Sequence, residues 1–217
     1  MKKLFLSLMA ALLALPSLAQ FTSGGFTISE NNVYYGIRVG LTMANFGGDD
    51  IDMDAKTGLT LAGVVGLRLS DSAPVFLESG LYYSERGAKK GKEFVNYNNL
   101  EVPLLIKYGF QANDEIAILP FFGPVFSYAI SGKTKQLKLD ELGKLTTEYE
   151  KVGTFDEKKA HTGGLKRANM GLKLGCGVEY SNIYAEAGYQ FGVTNVCKED
   201  DFTARSNAFF VNVGVNF

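Results

Sequence analysis

The last eleven residues of the chain, Asn207-Ala208-Phe209-Phe210-Val211-Asn212-Val213-Gly214-Val215-Asn216-Phe217, alternate in polarity without a break. In an extended chain successive side chains point to opposite faces. Phe209, Val211, Val213, Val215 and Phe217 therefore share one apolar face, and Ala208, Phe210, Asn212, Gly214 and Asn216 share the other. A strand of this length ending on an aromatic is hard to place in a soluble core. Read with the same period, the chain yields eight such segments, at roughly 33–43, 57–69, 75–86, 99–110, 117–130, 166–180, 183–193 and 206–217. About 9 to 11 tilted residues cross a bilayer, so each is long enough. The pattern predicts an all-β fold, an eight-stranded antiparallel up-and-down transmembrane β-barrel.

The connections agree. Those after the second, fourth and sixth segments are short (Ser70–Pro74, Gln111–Ile116 and Ser181-Asn182), and the others are longer, the longest running from Ser131 to Leu165. Outer-membrane barrels pair tight periplasmic turns with longer extracellular loops. If the apolar faces point outward, Arg38, Arg68, Lys107 and Lys173 point inward, as do Glu78, Glu101, Glu179 and Glu186. A soluble barrel with the opposite polarity also obeys alternation. The glycines favour the membrane form: Gly36, Gly40, Gly66, Gly80, Gly109, Gly175, Gly177, Gly188 and Gly214 lie on the charged face, where long side chains need room in a narrow interior. The aromatics agree too. Tyr35, Tyr108, Phe110, Tyr180 and Phe217 gather at the periplasmic strand ends and Tyr83, Tyr128, Phe191 and Phe209 near the other rim, as bilayer interfaces favour.

The N-terminus reads as an export signal. Lys2 and Lys3 precede an apolar stretch from Leu4 to Leu15, Pro16 breaks it, and Ser17-Leu18-Ala19 supplies small residues for cleavage. Residues 1–19 are thus expected to be a signal peptide and 20–217 one barrel domain, located in the cell outer membrane and starting at Gln20. The chain has 22 basic and 23 acidic residues; without Lys2 and Lys3 the balance is 20 − 23 = −3. That is no basic footprint, so nucleic acid is not an expected partner. Outer-membrane lipid and lipopolysaccharide are.

Four segments carry a family resemblance: Tyr35-Gly36-Ile37-Arg38-Val39-Gly40-Leu41, Leu100-Glu101-Val102-Pro103-Leu104-Leu105-Ile106-Lys107-Tyr108, Phe122-Gly123-Pro124 and Gly214-Val215-Asn216-Phe217. The Glu-Val-Pro-Leu-Leu run is the most specific. Together they resemble the PorT-like outer-membrane β-barrel family of Bacteroidetes. The resemblance implies the fold and the location, and it carries over no catalytic residues.

Chemistry is sparse. The single histidine, His161, lies in the 131–165 connection beside Lys158 and Lys159, with no nucleophile or acid positioned near it in sequence. No enzyme activity and no cofactor are expected. Asp49, Asp50, Asp52 and Asp54 make the first loop acidic, and Glu199, Asp200 and Asp201 the fourth. Strand closure makes these loops neighbours, and oxygen clusters can hold a divalent cation. Asp50, Asp52, Asp54, Glu199, Asp200 and Asp201 are therefore weak metal candidates. An EF-hand is excluded, because Ala55 and Leu61 stand where its Gly and Glu would be. Cys176 should lie opposite Ala187, which puts Cys197 about 34 Å further along at ~3.4 Å per residue, too far for a disulfide.

Eight strands leave an interior just wide enough for side chains, so balanced inward charges are expected to pair and fill it. Connections longer than ~15 residues are usually functional or disordered. In the 131–165 connection, Gln136–Asp140 alternates like a strand, whereas Leu142, Leu145 and Tyr149 have helical spacing. The expected function is non-enzymatic binding, assembly or secretion-related work through extracellular loops, with a protein or glycan partner. The alternatives are a passive small-solute porin and a barrel enzyme.

Overall fold

The computed structural model describes residues 33–48, 53–70, 72–113, 115–139, 145–156, 164–198 and 203–217. Residues 1–19, the expected signal peptide, and His161 lie outside these residues. Among the described residues ten strands form: β1 (Val33–Gly47), β2 (Asp54–Arg68), β3 (Val75–Lys90), β4 (Glu93–Tyr108), β5 (Phe110–Gln111), β6 (Ile116–Leu139), β7 (Leu145–Gly153), β8 (Ala168–Tyr180), β9 (Ile183–Gly192) and β10 (Arg205–Asn216). Eight of them build the wall. Each pairs antiparallel with its chain neighbour, β4 pairs β6, and β1 pairs β10 from Gly36↔Asn216 to Gly47↔Arg205. The sheet is thus a closed eight-stranded antiparallel barrel, with β5 a two-residue appendage of β6 and β7 a ninth strand beyond the wall.

The outward residues of β1 are Val33, Tyr35, Ile37, Val39, Leu41 and Met43, and those of β10 include Phe209, Val211, Val213 and Val215, all exposed. Exposed apolar side chains continue around the circumference, for example Leu59, Leu61, Leu81, Leu104, Ile106, Phe122, Leu174 and Val178. A band of this kind around a closed sheet has one stable solvent, the hydrocarbon of a bilayer. Tyr35, Tyr108, Phe110 and Tyr180 rim one end of it, and Tyr128, Phe191 and Phe209 the other. Cys176 lies opposite Ala187, as the two-residue turn demands. That turn has Ser181 at φ 53°, suited to a tight hairpin. Cys176 is exposed and Cys197 buried, and no disulfide joins them.

The structure departs from the sequence reading on the extracellular side. The connection between β3 and β4 is not a long loop. Both strands run on to Lys90↔Glu93 and meet in the tight turn Gly91-Lys92, with Gly91 at φ 58°. β4 therefore starts at Glu93 rather than 99 and ends at Tyr108. In the longest connection, β6 continues to Leu139 and returns as β7, pairing Lys133↔Gly153 through Leu139↔Leu145. The strand reading of 136–140 holds as far as Leu139, and the helical reading of Leu145 and Tyr149 fails because both lie in β7. Cross-strand pairing satisfies these backbone groups where a short isolated helix could not.

Pro103 explains a local break. Without an N–H it cannot donate to the ladder, the β3–β4 register skips from Ser79↔Leu104 to Tyr82↔Glu101, and Ser79 Oγ donates to the Pro103 carbonyl at 2.8 Å.

Candidate functional site

The interior is filled from end to end. At the periplasmic end Tyr34, Phe76, Ala117, Leu119 and Tyr184 pack together, all buried. Glycines create the room: a Cβ on Gly66 would sit 1.9 Å from the Tyr34 ring, and one on Gly177 would sit 2.2 Å from the Tyr184 hydroxyl. Gly66 and Gly177 are thus sockets for aromatic rings, as are Gly175 for Phe121 and Gly188 for Phe210.

Above this layer lies the first ionic cluster. Glu78 takes Lys107 Nζ at 2.8 Å, Arg38 Nη2 at 3.7 Å and the Tyr34 hydroxyl at 2.6 Å. Lys107 also donates to the Tyr184 hydroxyl at 2.8 Å, which in turn donates to Glu186 at 3.0 Å. The Arg38 guanidinium lies 4.1 Å from the Tyr184 ring centre and donates to Asn216, whose amide donates to Glu179. Leu105, Phe121 and Phe210 form an apolar layer, with Tyr82 packed beside Ala62 and Val64. The second cluster follows: Glu101 between Arg86 at 2.7 Å and Lys173 at 3.4 Å, with Arg86 also donating to Gln190 at 2.6 Å. Buried charges need this density of partners to offset desolvation.

Of the eight predicted interior charges, Arg38, Glu78, Glu101, Lys107, Lys173, Glu179 and Glu186 are buried in the lumen. Arg68 is the exception. It ends β2, half-buried at the rim, and its Nε donates to the Ser70 carbonyl at 2.9 Å, so it caps a turn. Arg86, which the sequence reading missed, supplies the fourth buried cation. It shares strand parity with Glu78 and Tyr82, and that was the available signal.

Beyond the second cluster a cavity of about 10 Å³ is bounded by Thr42, Thr60, Ser84, Arg86, Glu101, Lys173, Phe210 and Asn212. That is the scale of a single water and no route for a solute. The extracellular mouth is closed by Phe46, Ala88, Tyr97, Ala129, Leu165, Val196, Cys197 and Ala204, with Met53, Val95 and Phe155 against them. In planar bilayers the purified protein is expected to show no steady single-channel current. A stable open level from the unmodified barrel would contradict the packed interior.

Of the metal candidates, Asp54 is placed, at the start of β2 opposite Lys89; Asp50, Asp52, Glu199, Asp200 and Asp201 lie outside the described residues. Among the described residues no group of three metal-ligating side chains comes together.

What remains for function is the part above the membrane. β3, β4, β6 and β7 rise past the aromatic rim as a four-stranded sheet comprising roughly residues 85–90, 93–98, 131–139 and 145–153. A bulge between Asn98 and Asn99, opposite Ile130, shifts the phase of β6. Below it even-numbered residues such as Phe126 and Tyr128 face outward; above it Thr134 and Gln136 face inward and are buried. The sheet's inner face joins the cap, and its outer face looks away from the barrel axis.

Solved structures to which the chain is similar include Ail, the attachment invasion locus protein of Yersinia pestis (13% identity, TM-score 0.44, 86% of this chain and 100% of that one). Neisserial surface protein A (16%, 0.46, 86% and 98%) and OprG of Pseudomonas aeruginosa (13%, 0.44, 88% and 99%) are similar to the same degree. No curated protein matches the chain in sequence. The family model for the outer membrane protein beta-barrel domain matches residues 18–198. With that match over most of its length and a closed barrel girdled by apolar side chains, the chain belongs to the outer membrane protein β-barrel domain family and resides in the outer membrane.

Proposed function

We propose that this is a non-enzymatic outer-membrane protein, a signal peptide over 1–19 followed by a barrel over 20–217, that works at the cell surface by binding or assembly through its projecting sheet. The observation that carries the reading is the contrast between the two halves. The lumen is spent on ion pairs and aromatic packing, while the wall strands β3, β4 and β6 run past the bilayer to support β7. Strand pairing beyond the membrane adds nothing to spanning it, so the extension has another use. The PorT-like resemblance of the fourth strand is compatible with a secretion-related partner.

The extension can be removed cleanly. Thr154 N donates to the Gly132 carbonyl, so residues 133–153 can be replaced by Asn-Gly, a two-residue hairpin turn. Phe155 and the Leu165 contact remain to close the mouth. The shortened protein is expected to fold and to keep the heat-dependent gel shift of a barrel, but to fail to restore the phenotype of a deletion strain. Full complementation by the shortened protein would move the function to the barrel or the other loops.

A further inference from the structure

Cross-strand register places charges on the outer face of the projecting sheet that the sequence alone does not bring together. Moving up from the aromatic rim, that face carries Tyr83–Leu100–Tyr128, then Glu85–Asn98–Ser131, then Gly87–Asn96–Lys133–Gly153, then Asp54–Lys89–Phe94–Lys135–Lys151. Leu137 and Tyr149 stand in the row beyond. Lys135 and Lys151 are directly opposite, where Cβ atoms approach to about 5 Å, and Lys133 lies two residues along the same face. Like charges so placed repel. Asp54 opposes Lys89 at one end of the row, and Glu85 below accepts a bond from Leu59 N. None of Lys133, Lys135 and Lys151 has a carboxylate within 4.0 Å among the described residues. The pair Lys138–Glu148, at 3.9 Å, belongs to the other face. Lys135 rests its ammonium 4.7 Å from the centre of the Tyr149 ring, which holds it in place without neutralising it.

We propose that Lys133, Lys135 and Lys151, flanked by Phe94 and Tyr149, bind the phosphorylated sugars of lipopolysaccharide standing beside the barrel in the outer leaflet. This inference rests on the projecting sheet being the binding element and names its partner. Three observations select that occupant. The charge is positive and uncompensated, so the partner is anionic. The face is the same one that below the rim faces lipid, so the partner stands in the ring of molecules around the barrel. Lys133 lies four ladder positions above the row of Tyr83 and Tyr128, and Lys135 and Lys151 lie six above it, so the lysine row stands about 10 to 14 Å higher at ~3.4 Å per residue and ~45° tilt. A phospholipid headgroup at the rim does not reach it, whereas a glycolipid whose phosphorylated sugars extend upward does. The aromatic neighbours supply flat surfaces for sugar rings.

The experiment uses the full mature barrel in nanodiscs with lipopolysaccharide extracted from the producing bacterium as the probe. The variant K133Q/K135Q/K151Q is compared with K92Q/K138Q/K166Q, which loses the same charge elsewhere. The first variant is expected to bind roughly tenfold to a hundredfold more weakly, the second to bind like the parent. Chemically dephosphorylated lipopolysaccharide should bind the parent as weakly as the whole material binds the first variant. Equal binding by both variants, or binding indifferent to dephosphorylation, overturns the proposal, as does lysine-dependent capture of an acidic protein with no lipopolysaccharide affinity. The protein lacking 133–153, assayed for complementation in parallel, separates the two levels. If it fails to complement while the lysine variants bind normally, the partner is wrong and the projecting sheet remains the working element.

Discussion

Replacing Glu101 by Ala is expected to cost the folded barrel about 3–5 kcal/mol, the usual consequence of stripping one partner from a buried charge cluster. Glu101 is the carboxylate between Arg86 and Lys173. Its removal leaves two buried cations, 4% and 5% exposed, in one cluster with no carboxylate between them. The midpoint of urea unfolding in detergent or bilayer reads the loss, with the gel shift reporting the folded fraction. Glu85→Ala, on the outer face, is the control and should stay within ~1 kcal/mol. Exchanging Glu101, Arg86 and Lys173 together for apolar residues of similar volume should recover most of the stability, because the desolvation cost disappears with the charges. A Glu101→Ala protein as stable as the parent would mean that water reaches this layer, and the packed lumen would have to be abandoned.

Val213→Arg tests the other side of the wall. Val213 is 52% exposed, pairs with Val39 and lies midway between the rims marked by Phe209 and Phe217. An arginine facing hydrocarbon near the midplane should destabilise the barrel by about 2–4 kcal/mol in a bilayer. On a water-facing surface the same change would stay within ~0.5 kcal/mol. Unfolding titrations in lipid vesicles discriminate between the two. A negligible effect would leave the apolar band without its solvent.

Much of this was legible because strand period is such a strict rule. The face assignments of the last strand, the Cys176–Ala187 pairing and seven of the inward charges follow from parity and one tight turn. Arg86 was equally legible in principle, and ending the third strand at that residue hid its membership of the row containing Glu78 and Tyr82. Tyr34 was overshadowed by its outward neighbour Tyr35, although it shares parity with Arg38. Arg68 keeps the parity of its row, with its guanidinium 6.0 Å from the ring centre of buried Phe76, but parity does not give depth: at the strand end the side chain is only half-buried and reaches the Ser70 carbonyl. The bulge at Asn98 and Asn99 has no local signature, yet it sets which residues of β6 and β7 face outward. The lysine row therefore could not be assembled without the register.

The lumen network also says how such a barrel must come together. Its partners are remote in the chain: Arg86 and Gln190 are 104 residues apart, and Arg38 and Asn216 are 178 apart. The first strand's arginine finds its amide partner only when the last strand arrives. A half-inserted sheet would hold several ions with neither water nor counter-charge around them, so no partly closed state in the hydrocarbon is comfortable. Long-range pairing of this kind is slow, since chain entropy is lost before the contacts reward it. Closure is thus expected to be a single late, cooperative event, with the polar interior kept wet until the seam between β1 and β10 zips shut.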